Sequence, residues 1–154
     1  MTVDVLLDRY PAEVRVLALL ARRMIRRLLP RVEERVDRTA PVIGYGYGPG
    51  YTDTVCVLIL SKAGVKIGLP YGTTLPDPCR LLKGSGKIHR HVELKDRDDL
   101  RQPAVTPLIK AAYAAWRQRR YTREWPTSTT SPSIPSGGRS RNSRPKSRPR
   151  SRRG

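Results

Sequence analysis

Between Pro11 and Leu29 the apolar residues Val14, Leu17, Ala18, Ala21, Ile25 and Leu28 recur at spacings of three and four, with arginines filling the gaps. That period predicts an amphipathic helix, which Pro30 stops because its ring has no N–H to donate. A short second helical piece is predicted over Val32 to Asp37. The pattern then changes to strands. Gly44-Tyr45-Gly46-Tyr47-Gly48-Pro49-Gly50-Tyr51 reads as a strand end and a hairpin loop. Thr54 to Ser61 is an unbroken β-branched and aliphatic run, as in a central strand, and Ala63-Gly64 turns it into another strand, Val65 to Leu69.

The stretch Leu75-Pro76-Asp77-Pro78 predicts an extended or turning connection, followed by one helical turn at Cys79 to Leu82. Ile88 to Lys95 alternates as a strand does, with Ile88, Arg90, Val92 and Leu94 on one face and His89, His91, Glu93 and Lys95 on the other. Thr106 and Pro107 suit the cap and first position of a closing helix whose core stripe is Leu108, Ile109, Ala112, Tyr113 and Trp116. Helix, tightly joined strands, then helix is the order of an α+β fold. It predicts an antiparallel sheet of four to five strands with the N-terminal and C-terminal helices packed on one face.

Composition alters this picture at the C-terminus. Residues 127–154 hold eight Ser, four Pro and eight cations, no acid, and Ile134 as their only aliphatic side chain. Such a segment has nothing with which to build a core and is predicted to be a disordered tail, leaving residues 1–126 as the folded domain. The whole chain of 154 residues carries +18; removing the tail's eight charges leaves +10 on the domain. Anions are therefore the expected partners of both parts. In the tail, Arg139, Arg141, Arg144, Lys146, Arg148, Arg150, Arg152 and Arg153 form an arm suited to nucleic-acid phosphates, without sequence preference and sensitive to salt.

No apolar run approaches the roughly 20 residues that span a bilayer, and Asp4 and Asp8 stand where a secretory leader would carry positive charge. A cytoplasmic location is expected. Cys56 and Cys79 fit no metal or redox spacing and are expected to be free. Gly84-Ser85-Gly86-Lys87 evokes a phosphate loop, but Leu81 and Ile88 occupy the positions where that motif needs Gly and Ser or Thr. What remains is a glycine-rich turn whose N–H groups would form an anion-binding concavity, or else a plain solvated turn. The ligand-binding set on the first reading is Lys83, Gly84, Gly86, Lys87, Arg90 and His91, with Tyr45 and Tyr47 as a wall.

His89, His91 and Glu93 share a strand face, yet no further ligand accompanies them, so no metal or other cofactor is predicted. Ser85 has no third residue to orient His91 as its base, and no other catalytic arrangement is visible. Arg15, Arg22, Arg23, Arg26 and Arg27 make the first helix a basic ridge, either a solvated face or a polyanion surface. The pattern carries no signal for oligomeric state.

Tyr10-Pro11-Ala12-Glu13-Val14-Arg15, Glu33-Glu34-Arg35-Val36, Val65-Lys66-Ile67-Gly68, Leu75-Pro76-Asp77-Pro78 and above all Gly84-x-Gly86-Lys87-x-x-Arg90-His91-Val92 resemble the YdhG-like superfamily, over about residues 9 to 116. This is a group of small bacterial domains that mostly carry no defined activity. The resemblance implies a compact α+β fold like that of frataxin, and some members are described as iron chaperones. Against the last, a frataxin-type iron surface is a ridge of Asp and Glu, whereas the first helix here presents arginines that repel cations. The expected function is a non-enzymatic module that binds a small anionic ligand, with nucleic-acid association through the tail as the alternative and iron handling disfavoured.

Overall fold

The computed structural model describes residues 1–124. A short helix α1 (Val3–Leu7), capped by the Thr2 hydroxyl, precedes α2 (Ala12–Leu28), which buries Val14, Leu17, Ala18, Ala21, Met24 and Ile25. After Pro30, Arg31 takes a left-handed conformation (φ 54°) and sends the chain into β1 (Glu33–Val36). The helical piece expected over Val32 to Asp37 is therefore a strand. Four to six residues cannot sustain a helix by themselves, while pairing from Glu33↔Gly46 to Val36↔Ile43 supplies their hydrogen bonds.

Four more strands follow: β2 (Val42–Gly46), β3 (Thr54–Ser61), β4 (Gly64–Leu69) and β5 (Arg90–Leu94). They form an antiparallel meander in the order β1-β2-β3-β4-β5, with the unbroken apolar run of β3 at its centre. The segment Cys79 to Leu82 is not helical. Arg80 is left-handed (φ 53°), and the Asp77 carboxylate instead accepts the N–H groups of Leu81 and Leu82, each at 2.9 Å. Beyond β5 comes α3 (Arg97–Arg101), which the periodicity did not predict; Asp96 and Asp99 close its first turn reciprocally. The closing helix α4 (Val105–Glu124) begins just before the expected Thr106 and buries Val105, Leu108, Ile109, Ala112 and Trp116.

Helices α2 and α4 lie on one face of the sheet, against Ile43, Tyr45, Leu58, Leu60, Val65, Ile67, Val92 and Leu94. This is the expected α+β arrangement. The alternate residues, among them Val57, Ile59, Lys66, His91 and Glu93, are only half-buried on the other face. Cys56 is a buried free thiol, pushed up to about 12 by burial, and Cys79 is exposed and free. No helix among the described residues is long and apolar enough to cross a membrane. The tail cations from Arg139 to Arg153, and the predicted disorder around them, lie outside the described residues.

The register gathers one end of the sheet into a pole. Pairings Gly46↔Thr54, Val57↔Gly68 and Leu69↔Arg90 put the ends of β2 and β4 beside the starts of β3 and β5. The last turn of α4 arrives at the same place, where Arg123 reaches Thr52.

Candidate anion-binding site

The glycine-rich turn folds back over the start of β5. Lys83 and His91 exchange backbone hydrogen bonds at 2.8 and 3.0 Å, and a side chain at Gly84 would meet His91 Nδ1 at 3.5 Å and Arg90 Cδ at 3.7 Å. Gly84 has φ +123°, a conformation that only glycine adopts without strain. Lys83, Gly84, Gly86, Arg90 and His91 are thus together, as the sequence reading requires. Their charges, however, are already engaged. Lys83 Nζ lies 3.1 Å from Glu93, whose carboxyl it holds below its ordinary range, and His91 Nε2 lies 3.7 Å from the same carboxylate. The Arg90 guanidinium donates to the carbonyls of Gly86 and, at 2.7 Å, His89. Lys87, exposed at the tip, has no hydrogen bond or ion pair among the described residues.

Tyr45 is not part of this turn. It is fully buried on β2, separated from β5 by β3 and β4, and its hydroxyl donates to Glu34 at 3.0 Å. Burial pushes its pKa far up, and the Glu34 charge adds to the effect. Arg22 grips the same carboxylate with two N–H groups at 2.7 and 2.9 Å, so this arginine of the basic ridge serves the fold. Burial works to raise the Glu34 pKa, but the hydrogen bonds from Arg22 and Tyr45 outweigh it and hold the carboxyl below its usual value. Tyr47 does not wall the turn either: its hydroxyl donates to the Pro30 carbonyl at 2.9 Å and its ring lies 4.6 Å from that of Trp116.

At the pole, a cavity of about 290 Å3 is lined by Thr52, Asp53, Tyr71, Trp116, Arg119, Arg120 and Arg123. The three arginines come from the last two turns of α4. Arg119 lies over the Tyr71 ring, 4.1 Å from its centroid, and Arg120 lies 5.5 Å from the Trp116 centroid. Arg123 donates to the Thr52 hydroxyl at 2.9 Å. Arg119 and Arg123 have no carboxylate at ion-pair distance among the described residues; burial lowers the Arg119 pKa, and only the Tyr71 hydroxyl works against that. The one acid in the lining, Asp53, accepts from the Gly50 N–H at 3.0 Å.

The local backbone explains how Tyr71 comes to face α4. It is left-handed (φ 61°), which costs a side-chain-bearing residue about 1 kcal/mol or more. The next residue, Gly72, is pressed against β5 so closely that a Cβ would sit 2.6 Å from that of Arg90 and 3.0 Å from its backbone nitrogen. The cavity and the glycine-rich turn are thus joined through Gly72 and Arg90. The periodicity of α4 shows only its core stripe. The signal for the site was Arg119 and Arg123 at i and i+4, one turn beyond Trp116, but their ring and hydroxyl partners belong to distant loops.

Among the described residues no group of three or more His, Cys, Asp or Glu is placed to hold a metal ion. His89, expected beside His91, instead meets the Tyr51 hydroxyl, with Nε2 at 2.7 Å. No family model, no curated protein and no solved structure matches the chain.

Proposed function

We propose that the protein is a non-enzymatic binding module for a small anionic ligand seated in the pole cavity, with the glycine-rich turn at its rim. One observation carries this reading: Arg119 and Arg123 are held in place by a ring and a hydroxyl, with no carboxylate at ion-pair distance among the described residues. A guanidinium oriented in this way presents a planar fork of N–H donors that matches phosphate or carboxylate oxygens, and the ordering cost is already met. The cavity volume is near the lower end for small-molecule sites, enough for a phosphate or a short organic acid. Membership of the YdhG-like superfamily belongs to the same proposal and rests on the sequence segments alone. Iron handling is the poorer reading, since a cavity lined by three arginines and a single carboxylate repels cations.

Titration of the full chain with inorganic phosphate, citrate and a nucleoside monophosphate, followed by backbone amide shifts, tests the proposal. Thr52, Tyr71, Arg119 and Arg123 are expected to move together and saturably. If those four stay still with all three probes, the reading is wrong.

A further inference from the structure

We infer that the anion recognised at this pole is the backbone of a single-stranded nucleic acid, with a base stacked on Tyr51; the inference rests on the anion-binding reading above. Tyr51 directly precedes Thr52, which lines the cavity and anchors Arg123, and its partner His89 directly precedes Arg90, which packs on Gly72 beside the cavity's Tyr71. It is 56% exposed, so much of the side chain is open to solvent. Its ring neighbour, His89, meets it at 85° and is engaged through the hydroxyl end, which leaves the two ring faces uncovered by that contact. Ile88, 43% exposed, and the exposed Lys87 directly precede His89 in the chain.

Open aromatic faces beside a cationic groove are what sequence-tolerant single-strand binding requires: the cations track phosphates and each base offers a π-face to stack. Arg119 and Arg123, one helical turn or about 6 Å apart along the α4 axis, offer successive points for backbone phosphates. A duplex hides its base faces, and a free phosphate has none, so neither would make use of Tyr51. The length of the chain argues for a polymer as well. Residues 125–154 leave α4 directly after Arg123 and Glu124, and they carry eight cations between Arg139 and Arg153.

The test uses the full chain and a fluorescently labelled oligothymidylate, compared by anisotropy with a duplex of equal length and with thymidine monophosphate, at low and physiological salt. Tyr51→Ala is expected to weaken single-strand binding about tenfold and leave duplex binding within about twofold, since phosphate contacts to a duplex use no base stacking. Arg123→Gln is expected to weaken the single strand and reduce its salt slope by about one unit. Unchanged amide spectra outside the pole show that both variants remain folded. Single-strand affinity that ignores Tyr51→Ala, or monophosphate binding as tight as the strand, overturns the inference. If phosphate still shifts Arg119 and Arg123 in that case, the anion reading survives alone; if neither probe disturbs the pole, both fall.

Discussion

Arg22 on α2 and Arg123 on α4 are the same residue type on helices that cover the same face of the sheet, yet they are used in opposite ways. Arg22 is saturated: two N–H groups meet one carboxylate, which a buried tyrosine also holds, and the arginine and glutamate side chains are 28% and 16% exposed. Arg123 is exposed and held by a single hydroxyl, with Arg119 resting on a ring nearby. Folding consumes the first charge and leaves the second available. Counting basic residues along a helix does not separate these cases, because the distinction lies in what faces the helix. Arg22 faces β1, with its acids; the last turn of α4 faces loops that offer Thr52 and Tyr71.

The largest effect is expected at the saturated site. Glu34→Ala leaves Arg22 and the Tyr45 hydroxyl without their acceptor in a mostly desolvated place, and should lower unfolding stability by about 2–3 kcal/mol. Denaturant unfolding measures this, while phosphate binding at the pole should be unchanged. A loss below about 0.5 kcal/mol would mean that the pair is solvated and that the contrast with Arg123 is false. Acid provides the same test without a large cavity. Folding depresses the Glu34 pKa, so the unfolded chain binds the proton more readily than the native one. The stabilisation is therefore full above the unfolded carboxylate range and is lost as pH falls through the folded value. Glu34→Gln should flatten that part of the stability profile, and equal slopes in the two proteins would assign the acid sensitivity elsewhere.

Gly72→Ala comes next and acts on the boundary between fold and site. The added methyl would sit 3.0 Å from the Arg90 backbone nitrogen and 2.6 Å from Arg90 Cβ, so the loop must move away from β5. A loss of about 1–3 kcal/mol is expected, together with a several-fold loss of anion affinity, because Tyr71 is displaced from beneath Arg119. Stability lost with affinity intact would show that the Tyr71 ring is not needed to aim the arginine.

The parts of this molecule that were legible in the sequence are those set by local period. Helix α2, the paired run of β3 and β4 and the buried stripe of α4 follow from spacing alone. β1 was misread because four residues with two acids and an arginine carry almost no period; Glu34 is turned inward only because Arg22 and Tyr45 receive it. Tyr45 was placed at a ligand wall since a tyrosine among glycines suggests a surface, while its partner lies in a strand that had gone unrecognised. The glycine-rich turn was found, with its neighbours, but the acceptors that engage its cations are a strand acid and backbone carbonyls, none of them visible as a motif. The pole cavity joins residues 52, 71, 119, 120 and 123, and such a juxtaposition exists only after the meander and α4 have assembled.

The smallest effect on stability is expected from Arg123→Gln, and it decides the comparison most directly. Arg123 is exposed and its one hydrogen-bond partner among the described residues is the Thr52 hydroxyl, so the uncharged, shorter side chain should change stability by no more than about 0.5 kcal/mol. Its effect on anion affinity should be about tenfold, since a charge-assisted hydrogen bond is lost from a site that holds few others. Lys87→Ala provides the internal reference: a flexible cation at the rim, with nothing to orient it, should cost no more than about twofold. If Lys87→Ala and Arg123→Gln weaken phosphate binding equally, the anion feels only the overall positive field. If Arg123→Gln is alone in its effect, the fixed geometry of the last turn of α4 is what binds.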